Sequence, residues 1–521
     1  MLSIASGRRA AIAIAKRHPA AFGAMIDRLF DVRGMGRWYG ATGASTRSTF
    51  GALDETSQPV DLLVSVTRDG ERTLGGQIED QLRGRIRAGA LRPGARVPST
   101  RDLARQLGVS RRVVVDAYAQ LAAEGYLVLR QGARPTVSDA VGVAVAATAA
   151  PEQGPRQRFD LRPSVPDVSV FPRAAWLRAL REAVAGITDA DLGYGNPRGV
   201  LALRAALAEY LGRVRGVVAD SDAVMVTSGY SQGLGLVCRA LAAAGVQRVA
   251  VEDPSNPDQR YIVLRSGAEP VAVGVDEAGV LVDELAAAGV GAVVLTPAHQ
   301  HPTGVVLSAE RRAALIEWLR AEEAVAVEDD YDAEYRYDRA AVGALQGLDP
   351  DRVVYAGSAS KTLAPALRLG WLVVPPRLRD AVAREKVLAD QGTARIEQHA
   401  FAGFLARGEL DRHLRRMRGR YRRRRDALVE ALAASLPEAT VHGVAAGLHA
   451  AVRLPPEDDE EAVQVEARRR RIALQTLGEY LCEPRPHPPT LMLGYAQTPE
   501  PAIPAAVAEV AAAVRAARQG A

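Results

Sequence analysis

Gly357-Ser-Ala-Ser-Lys-Thr-Leu-Ala-Pro-Ala-Leu-Arg-Leu-Gly-Trp371 follows a short apolar run, Arg352 to Tyr355. It sets Ser358 and Ser360 beside Lys361, with Arg368 seven residues further on. The 521 residues include 66 lysines and arginines, yet only three are lysines: Lys16, Lys361 and Lys386. A chain that writes nearly every cation as arginine has kept an amine at position 361. A guanidinium stays protonated and cannot condense with a carbonyl, whereas a lysine amine can. Hydroxyls and an arginine around such an amine are the groups that hold a phosphate. A surface lysine in a loop after a strand would leave those neighbours without a purpose.

Working outward, other short apolar runs also end in polar clusters. Ala223 to Thr227 leads to Ser228-Gly229-Tyr230-Ser231-Gln232, and Arg248 to Val251 leads to Glu252-Asp253-Pro254. Ala292 to Leu295 leads to the stretch Thr296 to Gly304, and Ala324 to Val327 leads to Glu328-Asp329-Asp330-Tyr331-Asp332. Helical segments such as Leu201 to Gly212 and Ala309 to Ala321 lie between them. Buried strands alternating with helices predict an α/β fold with a mostly parallel sheet, whose ligand sits beyond the carboxyl ends of the strands. Gly229, Tyr230 and Ser231 open a helix whose free N–H groups suit a phosphate, and Ser358, Ser360 and Arg368 can close on the same group. Amine, phosphate cradle and carboxylate together describe a pyridoxal phosphate (PLP) site. Asp329 is the carboxylate expected at the pyridine nitrogen, with Tyr331 facing the phenolic oxygen. Asp329, Asp330 and Asp332 also allow a metal site, but no His or Cys ligand spacing accompanies them, so no metal is expected.

The Lys361 stretch resembles the Schiff-base segment of fold type I aminotransferases. That resemblance implies a PLP domain over residues 159–521, with Lys361 as the catalytic, Schiff-base lysine.

Composition frames the rest. A hydrophobic content of 48% with 24% charged residues describes a soluble globular protein, and the length calls for two or three units. Cys238 and Cys482 are the only cysteines, so no disulfide framework is expected and a reducing cytoplasm is the expected location. No apolar run reaches the length of a membrane span. The net charge of +5 is uneven: residues 1–60 carry +4 and residues 61–138 carry +5, leaving the remainder at −4. Positive charge at the front marks where a polyanion would be met.

Residues 1–60 read as an extension, disordered or begun too early, with Met25 or Met35 nearer the start. Arg8, Arg9, Lys16 and Arg17 also suit an import presequence, and no function is assigned. From residue 61 the pattern is sharper. Ile78, Leu82 and Ile86 predict a first helix. Ser99 caps a second helix, with Asp102 placed to reach back and Leu103 and Leu107 inward; Gly108 breaks it. Ser110 caps a third helix with Val113, Ala117 and Leu121 as its apolar face. Tyr126 to Leu129 and Pro135 to Val137 read as two strands around Gln131-Gly132. Helix, turn, helix and wing make residues 61–138 a winged helix-turn-helix, with Arg111 and Arg112 in the first turn of a recognition helix. Residues 139–158, rich in Ala, Val, Pro and Gln, read as a linker.

The segment from Leu91 to Tyr118, L-R-P-G-A-R-V-P-S-T-R-D-L-A-R-Q-L-G-V-S-R-R-V-V-V-D-A-Y, resembles the GntR family of bacterial transcription regulators. That resemblance implies that Arg101, Ser110 and Arg111 contact a double-stranded operator and that Gln131 and Gly132 enter the minor groove. A winged helix followed by a PLP-type domain resembles the MocR subfamily. This implies a homodimeric regulator in which Tyr194 reaches a phosphate across the dimer and an amine, an amino acid or PLP acts as effector. The alternative is an active PLP-dependent aminotransferase with a DNA-binding appendage.

Three positions depart from the resemblance. Asn256 stands where many relatives have an aromatic that stacks on the ring. Met492 replaces the arginine that grips a substrate carboxylate, and His301 replaces the Asn of Asn-Pro-Thr-Gly. Loss of a charge-assisted bidentate pair weakens binding of an ordinary α-amino acid, so a regulator is expected over an enzyme. The run Asp411 to Arg425 is charged almost all round, with Leu414, Met417 and Tyr421 as a thin stripe. It is expected to be a solvated, dimer-facing helix, with a DNA-backbone contact as the other possibility.

Overall fold

The structure is a computed structural model and describes residues 64–68, 72–140, 157–337, 342–443 and 445–520. The expected extension over residues 1–60 lies outside the described residues, as does most of the expected linker. The described chain falls into two units, 64–140 and 157–520.

In the first unit, α1 (Leu74–Arg87) buries Ile78, Leu82 and Ile86, the fourfold repeat seen in the sequence. Ser99 caps α2 (Thr100–Leu107): its hydroxyl accepts from the Asp102 N–H at 3.2 Å and donates to the Asp102 carboxylate at 2.7 Å. Asp102 therefore reaches back to the hydroxyl of the cap. Gly108, with φ of +63°, ends the helix in a left-handed turn. Ser110 stands at the N-cap of α3 (Arg111–Ala123), but its side chain makes no capping bond. The buried face of α3 is Val114, Ala117, Tyr118 and Leu121, with Val113 only half-buried. That shifts the expected face by one residue at its start, because Tyr118 must turn inward to donate to the Pro98 carbonyl at 3.0 Å. The wing is β1 (Leu127–Val128) against β2 (Thr136–Val137), antiparallel, with Leu127 opposite Val137. Arg83 grips Glu124 with two nitrogens at 2.8 and 2.9 Å and so ties α1 to the end of α3.

The second unit opens with β3 (Phe159–Asp160) and continues through α4 (Leu201–Arg215), β4 (Val224–Thr227), α5 (Tyr230–Ala243) and β5 (Arg248–Asp253). Then come α6 (Pro257–Arg265), β6 (Glu269–Asp276), β7 (Gly279–Val280), β8 (Ala292–Leu295), α7 (Ala309–Ala321), β9 (Val325–Asp330) and β10 (Val353–Ser358). After a short helix, Ala359–Thr362, follow β11 (Gly370–Val373), α8 (Arg379–Asp390) and α9 (Glu409–Ser435). The last strands are β12 (Thr440–His442), β13 (His449–Arg453), β14 (Ile472–Ala473), β15 (Gln475–Thr476) and β16 (Thr490–Gly494).

Eight strands form one sheet in the order β4-β11-β10-β9-β8-β5-β6-β7. The pairs from β10 through β6 are parallel, while β11 runs antiparallel to both its neighbours. Alternate residues feed opposite faces. Val249, Val251, Val294, Val327 and Val354 pack on one side, and Ala250, Val293, Leu295, Ala326 and Val353 on the other. Both faces are covered, which explains the unbroken apolar runs. A smaller antiparallel sheet, β12-β13-β16-β15, forms near the C-terminus, and β14 pairs with β3.

Two sequence expectations change, for the strand after Ala324 and for the charged helix, and the Lys361 stretch gains defined elements. The strand expected to end at Val327 continues through Asp330, because its carboxylates find partners inside the fold. Glu328 accepts from the N–H groups of Leu345 and Gln346, both at 2.9 Å. Asp330 accepts from Arg215 Nε and from the Tyr355 hydroxyl, each at 2.7 Å. Lys361 sits in the short helix Ala359–Thr362, and the end of its stretch is a strand, β11. The expected solvated helix is α9, and its stripe is core: Leu414, Met417, Tyr421 and Leu428 are buried within the unit. Even Arg424 is buried there, donating to Asp167 at 2.9 Å.

Candidate functional site

Strand register assembles the site. Ser358, at the end of β10, lies opposite Gly370 of β11, and Gly370 lies opposite Thr227 of β4. The segments that follow β4 and β10 are thereby neighbours. On the other side of β10, Ala356 is paired with Asp329 and Gly357 with Asp330. Lys361, Ser358, Asp329 and the start of α5 thus come to one end of the sheet, as expected at the carboxyl ends of parallel strands.

The turn into α5 collects groups whose chemistry suits an anion. Gly229 has φ of +91°, and a Cβ there would lie 2.8 Å from the Arg368 guanidinium. Only glycine permits that approach. Arg368 donates to the Ser228 carbonyl at 2.6 Å, which holds the guanidinium over the helix start. The Ser358 hydroxyl accepts from the Ser360 N–H at 3.4 Å. The first N–H groups of α5 point out of the helix, carrying the partial positive charge of its N-terminus. Gly229, Tyr230 and Ser231 at the helix start, with Ser358, Ser360 and Arg368, therefore fit a phosphate by chemistry, the guanidinium lying against Gly229.

Tyr230 is the first residue of α5, as expected, and its phenol makes a further contact: it accepts from Gln259 Nε2 at 3.0 Å, while the same nitrogen donates to Asp329 at 3.2 Å. Asp329 is only 9% exposed, and burial pushes its carboxyl up to about 8, with Tyr230 pulling the other way. Burial lowers the Lys361 amine below its ordinary value, against the pull of Asp332 and Asp329. A buried carboxyl and a half-buried amine close enough to feel each other's charge, with groups that suit a phosphate at the same end of the sheet, are the donor set that PLP requires.

Tyr331 packs against His299 and His301, its hydroxyl 2.9 Å from His299 Nδ1; that nitrogen is also 3.1 Å from Asp332. Tyr194 is 82% exposed and makes no hydrogen bond among the described residues, so this single chain does not bring it to the cluster. Asn256 is used as a helix cap, accepting from the Asp258 N–H at 3.0 Å at the start of α6. Met492 is fully buried in β16 and packs with Ala451 and Tyr480.

Sequence reading missed Gln259, His299, His449, Tyr480, Gln232 and Lys386. His301 is ringed by Tyr331, His449 and Tyr480, with ring centroids 5.5, 5.4 and 5.3 Å away. Burial, aided by His449 and Lys361, holds His301 well below its ordinary pKa, so the ring is neutral. The pair of histidines in His299-Gln300-His301 was a usable signal; Tyr480, alone in its segment, offered none.

In the first unit Arg101, Ser110, Arg111, Arg112, Gln131 and Gly132 are all exposed. Arg111 Nε is 3.5 Å from the Thr100 hydroxyl, which puts the starts of α2 and α3 side by side. Gln131 and Gly132 form the tip of the β1–β2 turn.

The model of the bacterial regulatory proteins, gntR family, matches residues 74–137, and that of aminotransferase class I and II matches residues 165–509. The chain is 34% identical over 394 residues to the HTH-type pyridoxine biosynthesis transcriptional regulator PdxR of Corynebacterium glutamicum, covering 75% of this chain and 85% of that one. It is 33% identical to the probable rhizopine catabolism regulatory protein MocR of Rhizobium meliloti, covering 70% and 78%. The chain belongs to the MocR type of GntR-family regulators. Among solved structures, this regulator's second unit is similar to kynurenine aminotransferase of Pyrococcus horikoshii, in complex with PMP. The TM-score is 0.63 at 27% identity, covering 69% of this chain and 91% of that one. The aminotransferase class I and II family is PLP-dependent. No helix among the regulator's described residues is long and apolar enough to cross a membrane.

Proposed function

We propose that the chain is a homodimeric, PLP-binding transcription regulator: residues 61–138 read an operator, and residues 159–521 sense a small molecule at Lys361. The observation that carries this is the closeness of Lys361 and Asp329, whose charges act on each other, at the end of the sheet where Gly229 and Arg368 meet. PLP, when bound, supplies an aldehyde that a lysine amine can capture and a ring that withdraws electrons.

The protein's own residues then have separate tasks. The first N–H groups of α5, with Ser358, Ser360 and Arg368, hold the phosphate, and Tyr194 of a second copy completes it. Asp329 meets the ring nitrogen, kept in place by Gln259. Tyr331 faces the phenolic oxygen. Burial keeps the Lys361 amine easier to deprotonate than an exposed lysine.

Met492 and Tyr480 bear on the effector. Where a carboxylate-gripping arginine would serve an enzyme, Met492 is fully buried under an aromatic ring. An α-carboxylate gains no charge-assisted partner there, and sustained transamination is expected to be slight. PLP itself, or an amine without a carboxylate, suits the site better than an amino acid. Arg101, Arg111 and Arg112 supply exposed cations for the operator, with Gln131 and Gly132 at the wing tip.

The test is the visible absorption spectrum of the purified protein with added PLP, before and after borohydride, beside Lys361→Ala. A band that borohydride fixes to wild-type protein and that the variant lacks supports the proposal. No band in wild-type protein would leave a DNA-binding protein with a vacant enzyme fold.

A further inference from the structure

Lys386 is the second lysine among the described residues, and it is fully buried. It lies on α8 beneath the first turn of α5 and touches nothing that the proposed PLP site uses directly. Its ammonium donates to three acceptors: Gln232 Oε1 at 2.9 Å, Asp390 Oδ2 at 2.7 Å and Thr393 Oγ1 at 2.7 Å. All three of its protons are accounted for. Burial lowers its pKa, with Asp390 pulling the other way.

Gln232 is the link to the anion turn. Its Oε1, held by Lys386, also accepts from the Ser228 N–H at 2.7 Å, and its Nε2 donates to the same Asp390 oxygen at 2.7 Å. The cation fixes which way this amide faces, because a reversed amide would point its NH2 group at the ammonium. Ser228 is in turn held from its other side, where its carbonyl accepts from Arg368 at 2.6 Å. Ser228, the residue leading into Gly229, is thus clamped at both its backbone N–H and its carbonyl. Thr393 extends the clamp to the sheet by donating to the Val226 carbonyl of β4 at 3.4 Å.

We propose that Lys386 is a positioning residue for the phosphate end of the ligand site: through Gln232 it sets the backbone of Ser228, and so the aim of the α5 N-terminus and Arg368. The proposal rests on the PLP reading above and goes beyond it, since no part of Lys386 would touch the ligand. The residue type fits the task. A single nitrogen with three tetrahedral donors meets three acceptors in a closed space, which a planar guanidinium cannot do. That accounts for a second retained lysine in a chain that otherwise uses arginine.

The experiment compares PLP with pyridoxal, which carries the same aldehyde and ring but no phosphate. Full-length wild-type protein, Lys386→Met and Gln232→Met are each titrated with both compounds and followed by absorbance. Gln232→Met leaves Lys386 paired with Asp390 and Thr393, so it decides alone should Lys386→Met be recovered unfolded. Loss of one buried charge-assisted bond predicts PLP binding weakened ~10-fold or more in both variants, with pyridoxal binding unchanged. Equal weakening of both compounds would mean a merely structural role and would overturn the proposal, as would unchanged PLP binding. Absence of a PLP band in wild-type protein is a different outcome: it would overturn the proposed function, and this inference with it.

Discussion

Replacing Asp329 by asparagine removes one titrating group from the sheet while keeping its shape. The carboxyl is 9% exposed, and burial pushes it up to about 8. An aspartate in the unfolded chain ionises near about 4. Between these values the folded protein holds a proton that the unfolded chain has released. The stability contributed by that protonated carboxyl is fully present below about pH 4 and is lost as pH rises towards about 8. One such group gives a slope of about 1.4 kcal/mol per pH unit. From about pH 6 to about pH 7.5, ligand-free wild-type protein should therefore lose about 2 kcal/mol that Asp329→Asn keeps. Glu252 and Glu328, each raised to about 7 by burial, add a slope common to both proteins, which cancels in the difference. The assay is urea unfolding without PLP at the two pH values, followed through the fluorescence of Trp176, Trp318 and Trp371. A gap between wild type and variant that stays the same at both pH values would refute the reasoning.

Three further outcomes are expected. Arg215→Met leaves Asp330 buried without its cation, since the two side chains are 2% and 1% exposed at 2.7 Å; denaturant unfolding should show a loss of about 3–5 kcal/mol, largely recovered by adding Asp330→Asn. Ser99→Ala removes the cap of α2, and urea unfolding of the winged-helix unit should show a loss of about 1 kcal/mol with the second unit unaffected. Arg111→Ala should weaken operator binding and reduce the slope of log affinity against log salt by about 1, measured by fluorescence anisotropy; an unchanged slope would show that this arginine does not meet a phosphate.

Much of the chain is legible in its residues. In the winged helix every signal is local: Ile78, Leu82 and Ile86 repeat at helical spacing, Ser99 and Gly108 mark the ends of α2, and Gly132 marks the wing turn. Such features depend on neighbours within a few residues and survive translation from sequence to structure. Lys361 and Asp329 are legible for a different reason. A lone amine and a carboxylate at the ends of apolar runs are costly to bury, so their presence there marks a site.

What the sequence determined by itself was the order of elements and the identity of the reactive groups. It could not say that β9 would carry three carboxylates inside the sheet, because partners such as Arg215, Tyr355 and the Leu345–Gln346 amides come from distant segments. Nor could it say that Tyr230 would serve Asp329 through Gln259, or that Asn256 would cap α6. Tyr480 over Met492 and Lys386 under Gln232 belong to the same class. A buried polar group is stable only where partners surround it in three dimensions, and that arrangement is decided by tertiary packing.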